Sequence, residues 1–327
     1  MTRLISFRDF MKIAVENYYS SAGEKIGPRG DFFTAPELDR SFGYTIAEFI
    51  KPLIFKYKHP VILELGAGTG KMAYDILNYY SHNAPVLMEK LKYLIYENSY
   101  YMVESQMKTL SVFGNVSWVT DIPEMEGIVI SNEFFDTFPV HVVKGEKELY
   151  VSEDGKEVWM DIKSEEVKNF LKRMGYEDLR GIKIEVSIDA INFLKKIAEA
   201  LKSGYNLIID YGYTSEEIKN FPEGTVVGYK NHRLLQGNLY SMAGEIDITA
   251  HVNFSALIEY GKDLGLEPCF LKNFRDFLMD SSLFIKDLLQ LNASQSPEDI
   301  ERFSRMKTML VSMGDRFKVL LQRKRVS

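Results

Sequence analysis

A glycine-rich turn that begins with a carboxylate is the stretch of this sequence best suited to chemistry. The apolar run 61–63 is followed by Glu64 and then by glycines at alternate positions, Gly66, Gly68 and Gly70. An apolar run that leads through glycines into a helical pattern predicts a buried strand, a tight turn and a helix. Cofactors of doubly wound sheets bind at such turns, so these residues predict a cofactor site.

The charge of Glu64 bears on which cofactor binds. A dinucleotide fingerprint would place its third glycine at position 71, where this chain has Lys71. A pyrophosphate would be repelled by Glu64, whereas the sulfonium and ammonium groups of S-adenosylmethionine would be attracted. The pattern therefore favours S-adenosylmethionine over NAD. The alternative is that Glu64 only caps the turn and that the glycines only tighten it.

Acidic residues also follow the next two predicted strands. Glu97 closes the strand predicted over 92–97, where its carboxylate can accept both hydroxyl groups of a ribose. NAD and S-adenosylmethionine share this ribose, so Glu97 predicts a nucleoside without choosing between them, and a surface carboxylate is the alternative. Asp121 follows the strand predicted over 115–119 and is a candidate partner of the adenine amino group. An ordinary turn residue is an equally good interpretation of Asp121.

The strand predicted over 127–131 is followed by an amide and two carboxylates. Asn132, Glu133 and Asp136 lie there, at the edge where reacting groups meet in such sheets. If the turn is helical, Glu133 and Asp136 share one face. A guanidinium directs its donors in a planar fork toward carboxylates, so the pair suits an arginine better than a point-charge amine. The alternative is that Asn132 and Asp136 cap the turn beside core phenylalanines.

Alternating strand and helix patterns predict an α/β fold with a mostly parallel sheet. Short strands flank a turn at 153–156, which indicates a β-rich insertion or substrate lobe. The expected division is 1–58 for an N-terminal helical cap and cofactor-covering loop, 140–185 for the insertion, and 59–139 with 186–327 for the core and its helical insertions. Predicted helices are 4–19, 38–57, 70–80, 99–110, 188–202, 254–264 and 282–312 with a break at 296–297. Predicted strands are 60–65, 92–97, 115–119, 127–131, 205–210, 224–229 and 316–322.

Composition limits the class of protein. The chain has 327 residues and a formal charge of -6, which argues against a broad nucleic-acid interface. Its one cysteine, Cys269, excludes an internal disulfide and is expected to be a buried small side chain. No apolar run reaches the roughly 20 residues of a membrane span, and no signal or transit peptide is visible. We therefore expect a cytoplasmic protein without membrane insertion and without a metal site.

Six motifs follow one another along the chain. They are Gly30–Glu37 (GDFFTAPE) with Phe42-Gly43, Asn132–Asp136 (NEFFD), Asp210–Tyr213 (DYGY), Tyr229–Arg233 (YKNHR), Gly244–Phe254 (GEIDITAHVNF) and Met313–Val319 (MGDRFKV). Together they resemble the MidA-type class I methyltransferases, a family that includes a mitochondrial protein arginine methyltransferase. The resemblance runs from about residue 4 to the C-terminus. It departs at Ala67, where the family often has proline, and at Asn253, where it usually has aspartate.

The resemblance implies a class I methyltransferase fold, which is a Rossmann-like, mostly parallel sheet of seven strands, with S-adenosyl-L-methionine as the cofactor. It also implies that the loop 30–37 covers the cofactor, with Thr34 and Glu37 as polar contacts. Asn132 is a further candidate cofactor contact. Without the resemblance, this loop is a Gly/Pro turn with no assigned role.

The resemblance further implies that an arginine side chain of a client protein is methylated, with Glu133 and Asp136 as candidate catalytic carboxylates. Asp247 is a candidate substrate contact, and His251 is a candidate acceptor for the departing proton. A structural histidine bonded to Asp247 or to the backbone is at least as good an interpretation of His251.

Two other functions stay open on the sequence. One is a cofactor-binding assembly factor, or chaperone, that retains the methyltransferase fold with weak or no catalysis. The other is methylation of a small molecule. A homodimer is compatible with either function. An NAD dehydrogenase is the weakest alternative because of the glycine spacing and Glu64.

Overall fold

The computed structural model describes residues 4–20, 25, 34–179, 181–230, 233–235 and 239–325. The chain forms two compact units. One, which we call the sheet unit, comprises 33–134, 196–211 and 261–327. The other, which we call the lobe unit, comprises 1–32, 135–195 and 212–260.

The described residues contain sixteen strands and twelve α-helices. The strands are β1 (Leu4–Ser6), β2 (Val61–Leu65), β3 (Lys92–Tyr96), β4 (Val116–Val119), β5 (Met125–Asn132), β6 (His141–Lys144), β7 (Lys147–Ser152), β8 (Glu157–Asp161), β9 (Lys183–Val186), β10 (Leu201–Tyr213), β11 (Val227–Lys230), β12 (Arg233–Leu235), β13 (Asp247–Thr249), β14 (Val252–Asn253), β15 (Leu266–Asn273) and β16 (Phe317–Lys324). The helices are α1 (Phe7–Ser20), α2 (Ala35–Leu38), α3 (Ser41–Ile54), α4 (Lys71–Asn83), α5 (Pro85–Met88), α6 (Tyr100–Thr109), α7 (Glu165–Arg173), α8 (Ile188–Ala200), α9 (Phe254–Asp263), α10 (Phe274–Met279), α11 (Ser282–Ala293) and α12 (Pro297–Thr308). Short 3₁₀ turns lie at Phe135–Thr137, Glu217–Asn220 and Leu239–Met242, and a π turn lies at Met309–Met313.

The sheet unit is built on a row of strands in the order β15-β16-β10-β5-β2-β3-β4. From β10 to β4 every pairing is parallel, whereas β16 is antiparallel to both of its neighbours. The register aligns the ends of the central strands, since Leu65 lies opposite Tyr96 and Ser131, and Asn132 lies opposite Ile209. Residues that follow β2, β3 and β5 therefore share one edge of the sheet. This arrangement confirms the expected mostly parallel α/β fold.

The central strands are apolar on both faces because helices cover them. Ile62, Leu63, Ile128 and Ile130 are fully buried. Helices α3 and α4 pack against one another beside this sheet, and their apolar faces join its core. Strand β2 thus ends within a packed hydrophobic core that holds the residues after it in place.

Gly43 is required where α3 crosses α4. A Cβ built on Gly43 would lie 2.5 Å from the Cβ of Asp75, closer than two carbon atoms can approach. We expect Gly43→Ala to reduce the free energy of unfolding by about 2 kcal/mol, since overpacking forces the helices apart. Chemical denaturation measures this loss. Gly114→Ala is the matched control, because its Cβ would meet nothing within 4 Å. Equal stability of the two variants would contradict this account of the crossing.

The lobe unit holds two small antiparallel sheets. One has the order β1-β7-β6-β9 with β8 paired to β7, and the other has the order β12-β11-β13. Helix α1 packs on the first sheet and on β13. Strand β14 pairs in parallel with the last two residues of β10, Gly212 and Tyr213, which belong to this unit. Counting this pairing, the sheet that contains β10 has eight strands where seven were expected.

Several predicted elements differ from the structure. Residues 4–6 form β1 rather than the start of a helix, because they pair with β7, which lies far away in the sequence. The insertion is rich in strands as expected but also contains α7, and β15 was not predicted. Cys269 is exposed rather than buried, since the ladder between β15 and β16 shifts register between Pro268 and Phe270. Within the described ranges, no helix is long and apolar enough to cross a bilayer.

Candidate functional site

The turn after β2 has a backbone that only glycine adopts readily. Gly66, Gly68 and Gly70 have φ values of 64°, 53° and 84°, in the left-handed region. The N–H of Gly66 donates to the carbonyl of Tyr96 at 3.0 Å, and a Cβ on Gly66 would lie 2.8 Å from the ring of Phe134. The turn is therefore fixed by the neighbouring strand and packs so closely against Phe134 that a larger residue at position 66 would collide with its ring.

Glu64 is a buried carboxylate at the end of β2. It is 2% exposed, and its Oε2 accepts a hydrogen bond of 2.6 Å from the hydroxyl of Tyr93. Burial raises its pKa to about 7; the nearby charge of Glu97 acts in the same direction, and the Tyr93 hydrogen bond opposes it. A bound cation would favour the ionised form, so Glu64 is suited to a positively charged ligand.

Glu97 follows β3 and is held by two donors. Its Oε1 accepts from the N–H of Ser99 at 2.9 Å, and its Oε2 accepts from the amide of Gln106 at 3.1 Å. Burial raises the pKa of its carboxyl group. Glu97 is thus half-buried and held in one orientation at this strand end, and its contact with a ribose stays a prediction. Gln106 was not predicted, because a single glutamine within a helical pattern carries no sequence signal.

Asp121 lies after β4 and is exposed. Its Oδ1 accepts the N–H of Ile122 at 2.9 Å, which is the contact of an ordinary turn residue. A second carboxylate oxygen stays available to a donor such as an amino group. The contact with adenine therefore stays a prediction.

The residues after β5 have an unusual backbone. Glu133 has a φ of 51° and is the one residue other than glycine, among those described, with a positive φ. Its N–H donates to the carbonyl of Ile209 at 3.0 Å, and its Oε1 accepts from the amide of Asn132 at 3.1 Å. The Oδ1 of Asn132 is buried without a hydrogen-bond partner in the described structure. Strained backbone of this kind concentrates at functional sites.

This geometry corrects the expectation of a helical turn. The 3₁₀ turn begins at Phe135, after Glu133, so Glu133 and Asp136 do not share a helix face. The reason is the N–H of Glu133, which pairs with β10 as if the strand continued. Glu133 belongs to the sheet unit and Asp136 to the lobe unit.

Asp210 of the DYGY motif fixes the segment after β5. It is fully buried; its Oδ2 accepts the N–H of Phe134 at 3.1 Å, and its Oδ1 accepts the N–H of Tyr211 at 2.9 Å. The resemblance assigned no role to Asp210. Its contact with Phe134 could not be predicted, because the two residues are 76 positions apart in the sequence. It holds the backbone of Phe134, and with it the conformation of Glu133.

We expect Asp210→Asn to lower the free energy of unfolding by about 2 kcal/mol. An amide group presents N–H donors where the carboxylate accepted one from the backbone, and an unsatisfied buried donor costs roughly that amount. Urea unfolding, compared with the exposed-site control Asp178→Asn, measures the loss. If both variants unfold at the same urea concentration, Asp210 does not brace this segment.

Part of the loop expected to cover the cofactor is described. Residues 30–33 of the GDFFTAPE motif lie outside the described ranges. Thr34 is buried at the start of α2, and Glu37 accepts a hydrogen bond from the hydroxyl of Thr69 in the glycine-rich turn. The structure therefore brings Glu37 to the predicted turn. The middle of the YKNHR motif, Asn231-His232, also lies outside the described ranges.

The lobe unit has an acidic cluster of its own. Asp136 and Asp247 are buried, and the hydroxyl of Tyr19 donates to Asp247 at 3.1 Å. Burial and the charges of Asp247 and Asp136 raise the pKa of Tyr19 well above its usual value. The carbonyl of Asp136 accepts the N–H of Ala250 at 3.0 Å. Two predicted residues thus lie together, with Tyr19 as an unpredicted third member.

His251 and Asn253 lie further along the same motif. The N–H of His251 donates to the hydroxyl of Thr225 at 2.9 Å, and its ring lies edge-on to Phe221. Asn253 accepts the N–H of Ala256 at 3.1 Å and caps α9, a role that the family's usual aspartate can also fill. Neither contact involves a proton acceptor on the His251 ring, so its role as acceptor of the departing guanidinium proton stays a prediction. Among the described residues, no group of His, Cys, Asp and Glu is placed to hold a metal.

The sheet-unit residues fit S-adenosylmethionine. Glu64 offers a buried carboxylate whose ionised form attracts the cationic groups of the cofactor. The buried Oδ1 of Asn132 is an acceptor without a donor in the described structure, and the ammonium group of the cofactor could donate to it. A pyrophosphate, which is negatively charged, would be repelled by these acceptor oxygens.

Comparisons with known proteins agree with this geometry. A family model described as "Putative S-adenosyl-L-methionine-dependent methyltransferase" matches residues 43–270. A mouse protein named protein arginine methyltransferase NDUFAF7, mitochondrial, is 27% identical over 96% of this chain and 79% of its own length. The human protein of that name is 26% identical over 96% of this chain and 78% of its own length. A Burkholderia thailandensis crystal structure bound to S-adenosyl-homocysteine matches with a TM-score of 0.83 and 26% identity, over 99% of this chain and 89% of that one.

The comparisons correct one prediction and confirm others. The cytoplasmic localisation predicted from the sequence is wrong by this comparison, because the curated relatives are named as mitochondrial proteins. The class I methyltransferase fold and the cofactor S-adenosylmethionine are confirmed. The chain belongs to the MidA-type family of S-adenosyl-L-methionine-dependent methyltransferases.

Proposed function

We propose that this enzyme transfers the methyl group of S-adenosylmethionine to a guanidinium nitrogen of an arginine side chain in a client protein. The observation that carries this proposal is Glu133, a carboxylate held at a φ of 51° immediately after β5. This backbone conformation is maintained by the hydrogen bond from the N–H of Glu133 to Ile209. It is also maintained by Asp210, which accepts the N–H of the next residue, Phe134. The names of the mouse and human relatives support arginine as the acceptor.

Each part of the cofactor has a proposed partner in the sheet unit. Glu64 attracts the cationic end, Glu97 accepts the ribose hydroxyls, and Asp121 accepts the adenine amino group. The remaining proposed contacts are the backbone of Gly66, Gly68 and Gly70 and the side chains of Thr34, Glu37 and Asn132. When bound, the cofactor supplies a methyl group on a sulfonium, which makes that methyl an electrophile.

The chain's own carboxylates orient the acceptor in this proposal. Glu133 binds the guanidinium, and a planar fork of N–H donors matches its carboxylate. Within the lobe unit, Asp136 and Asp247 are further proposed guanidinium contacts, since both are buried beside Tyr19. Electrostatic stabilisation and alignment supply most of the rate enhancement in such transfers. The guanidinium nitrogen loses one proton, and His251 is its proposed acceptor.

The proposal also assigns the segments of the chain. The core, 59–139 and 186–327, would carry the cofactor, and the insertion, 140–185, would contribute to client recognition. The N-terminal segment, 1–58, would supply Thr34 and Glu37 as part of a covering loop. Glu153, Asp154 and Lys156 lie exposed at the turn of the insertion, and such charged side chains suit a protein partner better than an apolar ligand.

The test is methyl transfer to fractionated cell extract. Purified enzyme is incubated with methyl-labelled S-adenosylmethionine and either the protein fraction or the low-mass fraction, with Glu97→Ala as the impaired control. We expect label in the protein fraction, reduced at least tenfold for Glu97→Ala. Label confined to the low-mass fraction would identify a small-molecule methyltransferase instead. Binding of S-adenosylhomocysteine without any transfer would favour the assembly-factor alternative.

A further inference from the structure

Gln106 is a buried polar residue that lies against the proposed cofactor site. It lies on α6 in the sheet unit and is 0% exposed. Its Nε2 donates to the carbonyl of Gly68 at 2.9 Å and to Oε2 of Glu97 at 3.1 Å. Its Oε1 accepts the indole N–H of Trp118 at 2.8 Å. One side chain thus joins the glycine-rich turn, the end of β3 and the strand β4.

The partners of Gln106 allow only one orientation of its amide. The carbonyl of Gly68 and an ionised carboxylate only accept hydrogen bonds, so both must face the NH₂ group. The indole N–H only donates, so it must face the amide oxygen. A flipped amide would oppose all three partners. The network is therefore fully satisfied and rigid, and each of its bonds supports the others.

The helix backbone is also placed against the turn. A Cβ built on Gly70 would lie 3.5 Å from the Cα of Gln106 and 3.4 Å from a methyl group of Leu110. These are ordinary van der Waals distances, so α6 packs directly against the turn, and glycine is favoured at position 70 by its φ of 84°. A shorter side chain at position 106 would not span the same three partners.

We propose that Gln106 is a positioning residue for the cofactor, because it fixes the carboxylate of Glu97 relative to the backbone of Gly68. The inference rests on the proposed contacts of Glu97 and the glycine-rich turn with S-adenosylmethionine. Gln106 itself touches no part of the ligand in this account. It sets the distance between two elements that must contact the ribose and the amino-acid portion of the same molecule.

Calorimetric titration with S-adenosylhomocysteine tests the proposal. Gln106→Met keeps the length of the side chain and removes its donors. We expect its dissociation constant to rise by roughly tenfold to a hundredfold, as for loss of a hydrogen bond to a charged group. Gln322→Met is the matched control, because Gln322 is equally buried in the sheet unit and bonds to Asn206 at 3.0 Å on β10. We expect this control to bind within about twofold of the wild type.

A double-mutant comparison separates positioning from general loosening of the fold. In a Glu97→Ala background the residue that Gln106 positions is absent, so adding Gln106→Met should cost much less than it does alone. Equal losses in the two backgrounds would overturn the proposal. If Glu97→Ala weakens binding and Gln106→Met does not, this inference fails and the proposed ribose contact stands. If Glu97→Ala binds as the wild type does, both fail.

A second variant tests the proposal even if Gln106→Met does not fold. Trp118→Phe keeps an aromatic ring and removes only the N–H that holds the amide of Gln106. We expect it to weaken S-adenosylhomocysteine binding several-fold, with the loss again smaller in the Glu97→Ala background. Unchanged affinity for Trp118→Phe, together with a folded Gln106→Met that binds normally, would also contradict the role given to Gln106.

Discussion

Glu133→Gln is expected to lower the rate of methyl transfer by roughly a hundredfold to a thousandfold, as for removal of one electrostatic contact from a preorganised site. The amide has the shape of the carboxylate, and its oxygen can still accept the 3.1 Å hydrogen bond from Asn132. It lacks the negative charge that holds a guanidinium. Since Glu133 is proposed to contact the acceptor and not the cofactor, affinity for S-adenosylhomocysteine should stay within about twofold.

The rate is measured with labelled methyl donor and the protein fraction, and the affinity by calorimetry. Glu126→Gln is the matched control, because Glu126 lies exposed on the same strand, β5. We expect this control to retain full activity. Turnover of Glu133→Gln at the wild-type rate would remove Glu133 from the active site. A large loss of cofactor affinity would instead make Glu133 a cofactor ligand.

Glu64→Gln is expected to change stability and binding in opposite directions. The pKa of Glu64 is raised from 4.5 to about 7 in the folded protein. Between these two pH values the folded protein keeps a proton that the unfolded chain has released, so stability falls as the pH rises through this window. The loss amounts to roughly 3 kcal/mol above the folded-state pKa. A neutral amide avoids it and can still accept the hydrogen bond from Tyr93.

The ligand-free Glu64→Gln variant should therefore unfold at a higher temperature than the wild type at pH 8 and at nearly the same temperature at pH 4.5. Scanning calorimetry across this range measures the difference. The reverse order at pH 8 would show that Glu64 is stabilised as a charge in the ligand-free protein. The hydroxyl of Tyr93 can donate to the amide oxygen of the variant as it does to Glu64 in the wild type, so neither protein leaves that hydroxyl unsatisfied.

Cofactor binding should respond to the same substitution in the other direction. A cation favours the ionised form of Glu64, so wild-type affinity for S-adenosylmethionine should increase by up to about tenfold per pH unit below pH 7 and level off above it. The Glu64→Gln variant should bind more weakly and lose this part of the pH dependence. Identical pH profiles for the two proteins would exclude Glu64 as the group that recognises the cation.

The local elements around the site could be predicted because their signals are local. The apolar run before Glu64 and the glycines after it determine a strand and a turn within ten residues, and the structure has both. The helix predicted to begin at residue 4 was wrong for the opposite reason. Residues 4–6 have helical spacing, but pairing with β7, more than a hundred residues later, decides their conformation. Long-range pairing overrides local preference there.

The supporting residues of the site could not be predicted, because their partners are distant in sequence. Tyr19 bonds to Asp247 across 228 positions, and Asp210 bonds to Phe134 across 76. Gln106 has its role only because α6 folds back onto the turn at Gly68. The positive φ of Glu133 is likewise set by β10 and not by its own neighbours. The sequence predicts candidate ligand contacts, and the structure adds the residues that hold those candidates in place.

The most direct test of the central claim is to locate the transferred methyl group on the client. Proteins labelled by the wild-type enzyme are digested, and the modified peptides are sequenced by fragment-ion mass spectrometry, with Glu133→Gln as the inactive comparison. The account predicts a methyl group on a guanidinium nitrogen of arginine, present with the wild type and absent with the variant. A methyl group on lysine, on a carboxylate or on a small molecule alone would contradict arginine as the acceptor.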